Sequence, residues 1–213
     1  LTGLVCSLSV SSAPASQVVA YGHNIGVAPV LTNAVAVGVV GYSLAALRDD
    51  GTVAQWGNGA TDPGVSNLAY IATGWPTGLG LRADASIDGW GSDYAGAITG
   101  HPSDLTNAVA LAVGSYNGFA VRDDGTVLGW GYNDSLGLTL NIPDGLSNVV
   151  AVSASNDGST VLALRADGTV LQWGYGETNS HPEISNAVAI ATAGVYLNAT
   201  LLSDGSMTVW PNG

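Results

Sequence analysis

The sequence predicts an all-β protein: a β-propeller of six short blades, with part of a seven-bladed ring or an open repeat array as alternatives. Three observations predict it. An aromatic residue recurs at Tyr21, Trp56, Trp90, Trp130, Trp173 and Trp210, with 34–43 residues between neighbours. Short apolar runs alternate with turn residues throughout, and no ten-residue stretch keeps a helical period. Thirty glycines, 46% hydrophobic and only 9% charged residues describe a small-residue chain with much to bury, which excludes disorder.

Each unit reads as three strands. The first is an Asn-Ala-Val-Ala-Val type run, as at Asn33–Val37 and Asn107–Leu111. The second is short and apolar, as at Ser43–Leu47, and ends in Arg48, Arg82, Arg122 or Arg165. The third follows Thr-Val-x-x-Trp-Gly. Asp50-Gly51, Asp124-Gly125, Asp167-Gly168 and Asp204-Gly205 join the second strand to the third. Asp-Gly predicts a two-residue hairpin of the primed type, since both residues tolerate positive φ. Asp84-Ala85 departs from that pattern and predicts a longer or strained turn. A proline precedes each Asn by four or five residues, at Pro29, Pro63, Pro102, Pro143 and Pro182, ending the connecting loop.

The units fall at about 1–30, 31–64, 65–104, 105–145, 146–183 and 184–213, one domain over 1–213. In the first unit Leu1–Val5 matches the first strand and Val18–Gly22 the third. A three-stranded sheet cannot cover its own faces. A radial array lets each sheet cover the next, and the Trp of each unit supplies the filler between blades. A solenoid competes, but its turns lack this hairpin chemistry.

The run Ser-Asn-Ala-Val-Ala, then Leu-Arg-x-Asp-Gly-Thr-Val-x-x-Trp-Gly, resembles the repeat of the regulator-of-chromosome-condensation (RCC1-like) propellers. It is most similar to the divergent versions in secreted bacterial proteins, among them the type II β-lactamase-inhibitory proteins. The resemblance covers essentially the whole chain and implies the propeller fold. For function it implies only a range, from nucleotide-exchange factors to inhibitors and surface modules. Two departures stand out: family members usually have seven blades, and the family's Gly-x-x-His-Ser is replaced by Gly41-Tyr42-Ser43 and Gly114-Ser115-Tyr116-Asn117.

Charge narrows the partners. Four arginines, no lysine and sixteen carboxylates give a net charge of -12, so nucleic acid is repelled rather than bound. No apolar run is long enough for a membrane-spanning helix. Leu1–Val10 followed by Ala13-Pro14-Ala15 mimics a secretion signal, but no initiator Met or basic segment precedes it, and it is not expected to be one. The lone Cys6 sits in a strand-like run and reads as a buried thiol.

Little chemistry is written in motifs. No nucleophile elbow, Walker loop or zinc spacing occurs, so no enzyme and no catalytic residue is expected. Carboxylate-pair hydrolysis stays open in principle, because loop carboxylates converge in space. No resident cofactor is expected. Asn133-Asp134-Ser135 and Asn156-Asp157-Gly158 supply the oxygens calcium wants, but neither matches an EF-hand loop. The arginines hold one repeat position: either a cationic ring or, as the acidity favours, partners of turn and neighbouring-blade carboxylates. His101 and His181 precede prolines and read as surface loop residues. Asn133 and Asn198 head glycosylation triplets of a kind common by chance.

The loops after each Trp-Gly vary, and variable loops on constant strands read as a binding face. Its candidate residues are His23, Asn24, Asn58, Asp93, Tyr94, Tyr132, Asn133, Asp134, Tyr175 and Glu177. The expected function is a non-catalytic binding or scaffold propeller, secreted or at the cell surface, with a protein or glycan partner or self-assembly. The alternatives are a subunit of an extracellular fibre or array, and an inhibitor of an extracellular enzyme for which Trp75-Pro76 offers the one Trp outside the repeat position.

Overall fold

The structure, a computed structural model, describes residues 33–132, 139–174, 179–181, 184–192 and 197–211, with Pro29 and Leu31. Among these lie five antiparallel sheets arranged in chain order. They are β1 (Ala34–Val40), β2 (Ser43–Arg48), β3 (Val53–Gly57); β4 (Leu68–Thr73), β5 (Thr77–Arg82), β6 (Ile87–Gly91); and β7 (Ala108–Val113), β8 (Asn117–Arg122), β9 (Val127–Gly131). The fourth sheet has β10 (Val149–Ala154), β11 (Thr160–Arg165), β12 (Val170–Gly174) and an added edge strand, β13 (Asn179–His181). The fifth has β14 (Ala187–Thr192), β15 (Asn198–Leu202) and β16 (Met207–Trp210). The unit expected over 1–30 lies almost wholly outside the described residues, as does Cys6. No helix among the described residues is long and apolar enough to cross a membrane.

The first strands of successive sheets run beside one another, β1 by β4, β4 by β7, β7 by β10 and β10 by β14. That places them innermost and the Trp-Gly strands outward. Each inner strand carries a bulge near its start, at Val35, Ala69, Val109, Val150 and Val188. One extra residue sharpens the local twist, which lets short strands converge on an axis.

The core is a series of seams. Val40, Ala45 and Leu47 of the first sheet pack against Val65, Leu68, Ile71 and Trp90 of the second. Leu79 and Leu81 meet Leu105, Leu111 and Trp130. Phe119 and Val121 meet Leu146, Val152 and Trp173, and Leu164 and Val170 meet Ile184, Ala187 and Trp210. Each of these four Trp side chains therefore plugs the sheet before its own, as the filler role requires. Trp173 is only 1% exposed, and its ring meets Phe119 edge-on with centroids 6.2 Å apart.

The hairpins differ from the two-residue primed turns expected. Gly51 N–H donates to Arg48 O at 3.0 Å and Arg48 N–H to Thr52 O at 2.9 Å, so the loop is three residues long. Only its glycine has positive φ, +79°. This is a turn ending in a glycine bulge, a form in which the two Asp positions keep ordinary φ. Its physical reason lies in the next sheet: Gly51, Gly125 and Gly168 carbonyls accept the N–H of Leu68, Val149 and Ala187 at 3.0–3.1 Å. A Cβ on Gly125 would stand 2.9 Å from Asn148 Cα.

The Asp84-Ala85 turn is no longer than the others, contrary to one expectation, for Arg82 N–H still donates to Ser86 O at 3.0 Å. It is strained instead, with Ala85 at φ +63°. Among the described residues it also lacks the seam bond that the three glycine turns make.

Ala85→Gly should therefore stabilise the fold by about 0.5–1 kcal/mol, whereas Gly125→Ala should cost about 2–3 kcal/mol. Trp173→Ala should cost about 3–5 kcal/mol. Denaturant titration checks all three, and a destabilising Ala85→Gly would refute the strain.

Candidate binding face

Hairpin alternation gives the sheet array two rims. One carries the Arg-Asp-Asp-Gly turns. The other carries the turns between first and second strands together with the loops after each Trp-Gly.

On the turn rim the carboxylates are caps. Oδ1 of Asp50 accepts from both N–H and Oγ1–H of Thr52, at 2.9 and 2.6 Å. The same pair of bonds joins Asp84 to Ser86, Asp124 to Thr126, Asp167 to Thr169 and Asp204 to Ser206. The hydroxyl bond chiefly, and the amide bond next, hold each of these carboxyls below its ordinary pKa. Asp49 and Asp123 accept from Asn33 and Asn107 Nδ2 at 2.8 Å.

The arginines do not all find carboxylates. Arg82 pairs with Asp88 at 2.5 Å. Arg48 and Arg122 donate instead to Thr52 and Thr126 hydroxyls at 2.9 and 3.4 Å, because those threonines already stand between guanidinium and capping carboxylate. Arg165 lowers the Asp167 pKa through space.

The other rim is aromatic. Tyr94, after β6, and Tyr132, after β9, are brought together by Tyr116, which precedes β8. Tyr116 stands 5.2 Å from Tyr94 and 6.2 Å from Tyr132, ring centroid to centroid, and Tyr94, Tyr116 and Tyr132 are 66%, 38% and 48% exposed. Tyr116 was not among the expected site residues. Its signal was available, since a hairpin puts the turn between first and second strands on the same rim as the loop after the third.

Asp93 is placed differently. Its carboxylate accepts from Ile98 N–H, Thr99 N–H and Thr99 Oγ1–H at 2.6–3.2 Å, holding a one-turn 3-10 segment, Tyr94–Gly96. The Thr99 hydroxyl chiefly lowers its pKa. Exposed as it is, it also anchors the loop that carries Tyr94. Asn58 is exposed beside β3 and lines a cleft of about 220 Å³ with Tyr42, Gln55, Thr61, Trp75 and Trp90. Tyr42 and Trp75 meet edge-on with centroids 4.2 Å apart. His23, Asn24, Asn133, Asp134, Tyr175 and Glu177 lie outside the described residues.

Each indole N–H in a seam needs an acceptor. Trp130 donates to Ala97 O and Trp173 to Thr139 O, both at 2.9 Å, and Trp210 donates to Gln172 Oε1 at 3.0 Å. Trp90 Nε1 and Gln55 Oε1, in the seam of the first two sheets, are buried and make no hydrogen bond.

Three further expectations resolve. His101 and His181 are not free surface residues: their rings pack on Trp130 and Trp210 of the following sheet, at 6.1 and 4.7 Å. Asn198 is fully buried, and its Nδ2 donates to Gln172 Oε1 at 2.8 Å, which removes it as a glycan acceptor. Asp157 Oδ1 accepts from Ser155 and Ser159 hydroxyls at 2.6–2.7 Å as a turn cap. No group of three metal-ligating side chains occurs among the described residues.

Residues 108–135, the third sheet and the start of its loop, match the model of the regulator of chromosome condensation (RCC1) repeat. The sheets are RCC1-like propeller blades. Solved structures agree on the fold. The chain is similar to the CRINKLY WD40 ectodomain of the Arabidopsis thaliana receptor kinase ACR4, with a TM-score of 0.70 and 21% identity over 84% of this chain and 65% of that one. It is also similar to the ectodomain of the Physcomitrella patens receptor kinase CR4, with a TM-score of 0.73, 21% identity, and coverage of 90% and 55%. Prp20p of Saccharomyces cerevisiae, described with its binding to Gsp1p and histones, gives 0.64, 16%, 84% and 58%. The chain thus spans less than two thirds of the length of each of these three structures. No curated protein matches its sequence.

Because the capping carboxyls have lowered folded pKa values, the stabilisation they add is complete above the ordinary 3.8 and is lost as pH falls below it through the folded values. Thr52→Val should raise the Asp50 titration toward 3.8 and leave Asp124, Asp167 and Asp204 where they were. Carboxyl-carbon NMR titration reads each site separately.

Proposed function

We propose that this chain is a non-catalytic binding propeller, secreted or displayed at the cell surface, whose loop rim takes a protein partner. The exposed Tyr94–Tyr116–Tyr132 cluster carries the reading. Tyrosine gives large contact area for little lost side-chain entropy, and aromatic residues dominate the energetically decisive parts of interfaces. Three such rings across the seam of two sheets make a rigid platform. The capped state of the turn-rim carboxylates supports a role without catalysis, since Asp50, Asp84, Asp124, Asp167 and Asp204 are engaged in holding turns. Fold similarity to two receptor ectodomains supports the location, and similarity to a propeller known for protein binding supports the class of partner. Fold alone does not name the partner. An inhibitor of an extracellular enzyme would use the same rim.

One observation favours the fibre or array as a second reading. Leu201, Met207 and Val209 on the fifth sheet are 39%, 65% and 50% exposed, and a Cβ on Gly205 would find nothing within 4 Å. A further sheet, from this chain or another, would bury that face.

A photo-cross-linker at Ala95, beside Tyr94, should capture a discrete partner from the secreted and surface proteins of the source organism, and one at Asp167 should not. The triple variant Y94A/Y116A/Y132A should reduce that capture by about tenfold or more, with an unchanged melting temperature. Capture at Asp167 alone would overturn the reading. Sedimentation as a single 21.3 kDa species would rule out the array, and a length-variable polymer would establish it.

A further inference from the structure

The Trp-Gly strands follow a rule that the first seam breaks. Where glycine precedes the Trp of one sheet, at Gly89 and Gly129, the next sheet's indole donates to a loop carbonyl, Ala97 O or Thr139 O. Where glutamine precedes it, at Gln172, the glutamine fills the space and its Oε1 accepts from Trp210 at 3.0 Å. Gln55 holds the same position in the first sheet, and Trp90 is the next indole. Yet both are unpaired: Gln55 Oε1 and Trp90 Nε1 are shielded from water and bond to nothing. Gln55 Nε2 donates instead to Ser43 Oγ of its own sheet at 2.6 Å, whereas Asn198 Nδ2 holds Gln172 in place from the next sheet at 2.8 Å. Gly78, which lies opposite Trp90 as Asn198 lies opposite Trp210, stands where Asn198 would and has no side chain, so no residue at that position holds Gln55 toward Trp90.

An unmet donor and an unmet acceptor are costly when buried, and they favour any group that satisfies both. A hydroxyl does so, accepting from the indole and donating to the amide oxygen. Both side chains line the 220 Å³ cleft, together with Tyr42, Asn58, Thr61 and Trp75. No lining side chain is charged, so the lining favours a neutral ligand. The Tyr42 and Trp75 rings suit an apolar C–H face, and the amide and hydroxyl groups suit a polar edge.

We propose that the seam of the first two sheets is a binding site for one unit of a neutral saccharide. A ring hydroxyl, admitted by rotation of the Gln55 amide, links Trp90 Nε1 to Gln55 Oε1, and the sugar's C–H face lies on Trp75. The site is separate from the tyrosine platform, so it stands or falls independently of the protein-binding reading.

The test is indole NMR of the ¹⁵N-tryptophan-labelled chain, titrated separately with glucose, galactose, mannose and N-acetylglucosamine. At least one sugar should shift the Trp90 and Trp75 indole signals to saturation and leave Trp130 and Trp173 unmoved. Gln55→Leu and Trp75→Ala should each weaken that binding by about tenfold or more, and unmoved Trp130 and Trp173 signals report that both variants are folded. Two results would overturn the proposal: no shift at Trp90 with any of the four sugars, or shifts that both variants leave intact. A Trp90 indole bonded to Gln55 in the free protein, unaltered by sugar, would show the seam closed like that of Gln172 and Trp210.

Discussion

Everything in this fold depends on the seam, the surface along which one small sheet covers the next. A three-stranded sheet rich in Ala, Gly and Val has two apolar faces and no means of covering either. The large side chains are therefore spent between sheets, with Trp90, Trp130, Trp173 and Trp210 each plugged into the sheet before. An indole brings a polar N–H with its bulk, and a buried N–H demands an acceptor. In three of the four described seams the residue before the preceding Trp decides where that acceptor comes from. Glycine leaves room for a loop to fold down and offer a carbonyl, and Gln172 fills the room and offers its own oxygen, as Gln55 does not. Loop conformation on the binding rim is in this way tied to a single residue in the outer strand.

The two rims divide the labour. The Asp-Gly turns must be short and uniform, because their glycine carbonyls bond to the start of the next sheet at 3.0–3.1 Å. A longer turn would lose the bond, and a side chain there would strike backbone. The loops after Trp-Gly have no such duty beyond reaching one indole, so their lengths and residues are free to differ. Variation and aromatic exposure collect on the same rim for that reason.

The blade pattern was legible because it is local. Hairpin strands are adjacent in sequence, and the Trp-Gly and Arg-x-Asp-Gly markers repeat at matching offsets. The turn form was not legible. Asp-Gly suits both a two-residue primed turn and a three-residue turn with a glycine bulge, and the choice is made by a bond to the next sheet that local sequence does not carry. The partners of Arg48 and Arg122 were not legible for a similar reason. A net charge of -12 promised carboxylates, but Thr52 and Thr126 occupy the nearer place. On the binding rim, Tyr94 and Tyr132 were legible as loop residues. Their meeting through Tyr116 was not, because it joins two sheets across a seam. The loop-holding role of Asp93 was not legible, because its hydrogen bonds to Ile98 and Thr99 depend on how the loop folds back.

The acidity of the chain takes on a different meaning once the carboxylates are located. Asp50, Asp84, Asp124, Asp167 and Asp204 are turn caps, and Asp49 and Asp123 hold the asparagines that begin their own first strands. The negative charge on that rim is thus a by-product of repeating one turn, not a surface shaped for a cation. Its field acts at a distance as well as locally. Across the array, the cleft of the first seam has no charged lining and the tyrosine platform is built of neutral rings. Recognition there has to come from shape, aromatic contact and a few hydrogen bonds. That is the chemistry of short-range selection, and the repeated turns supply the rigid frame it needs.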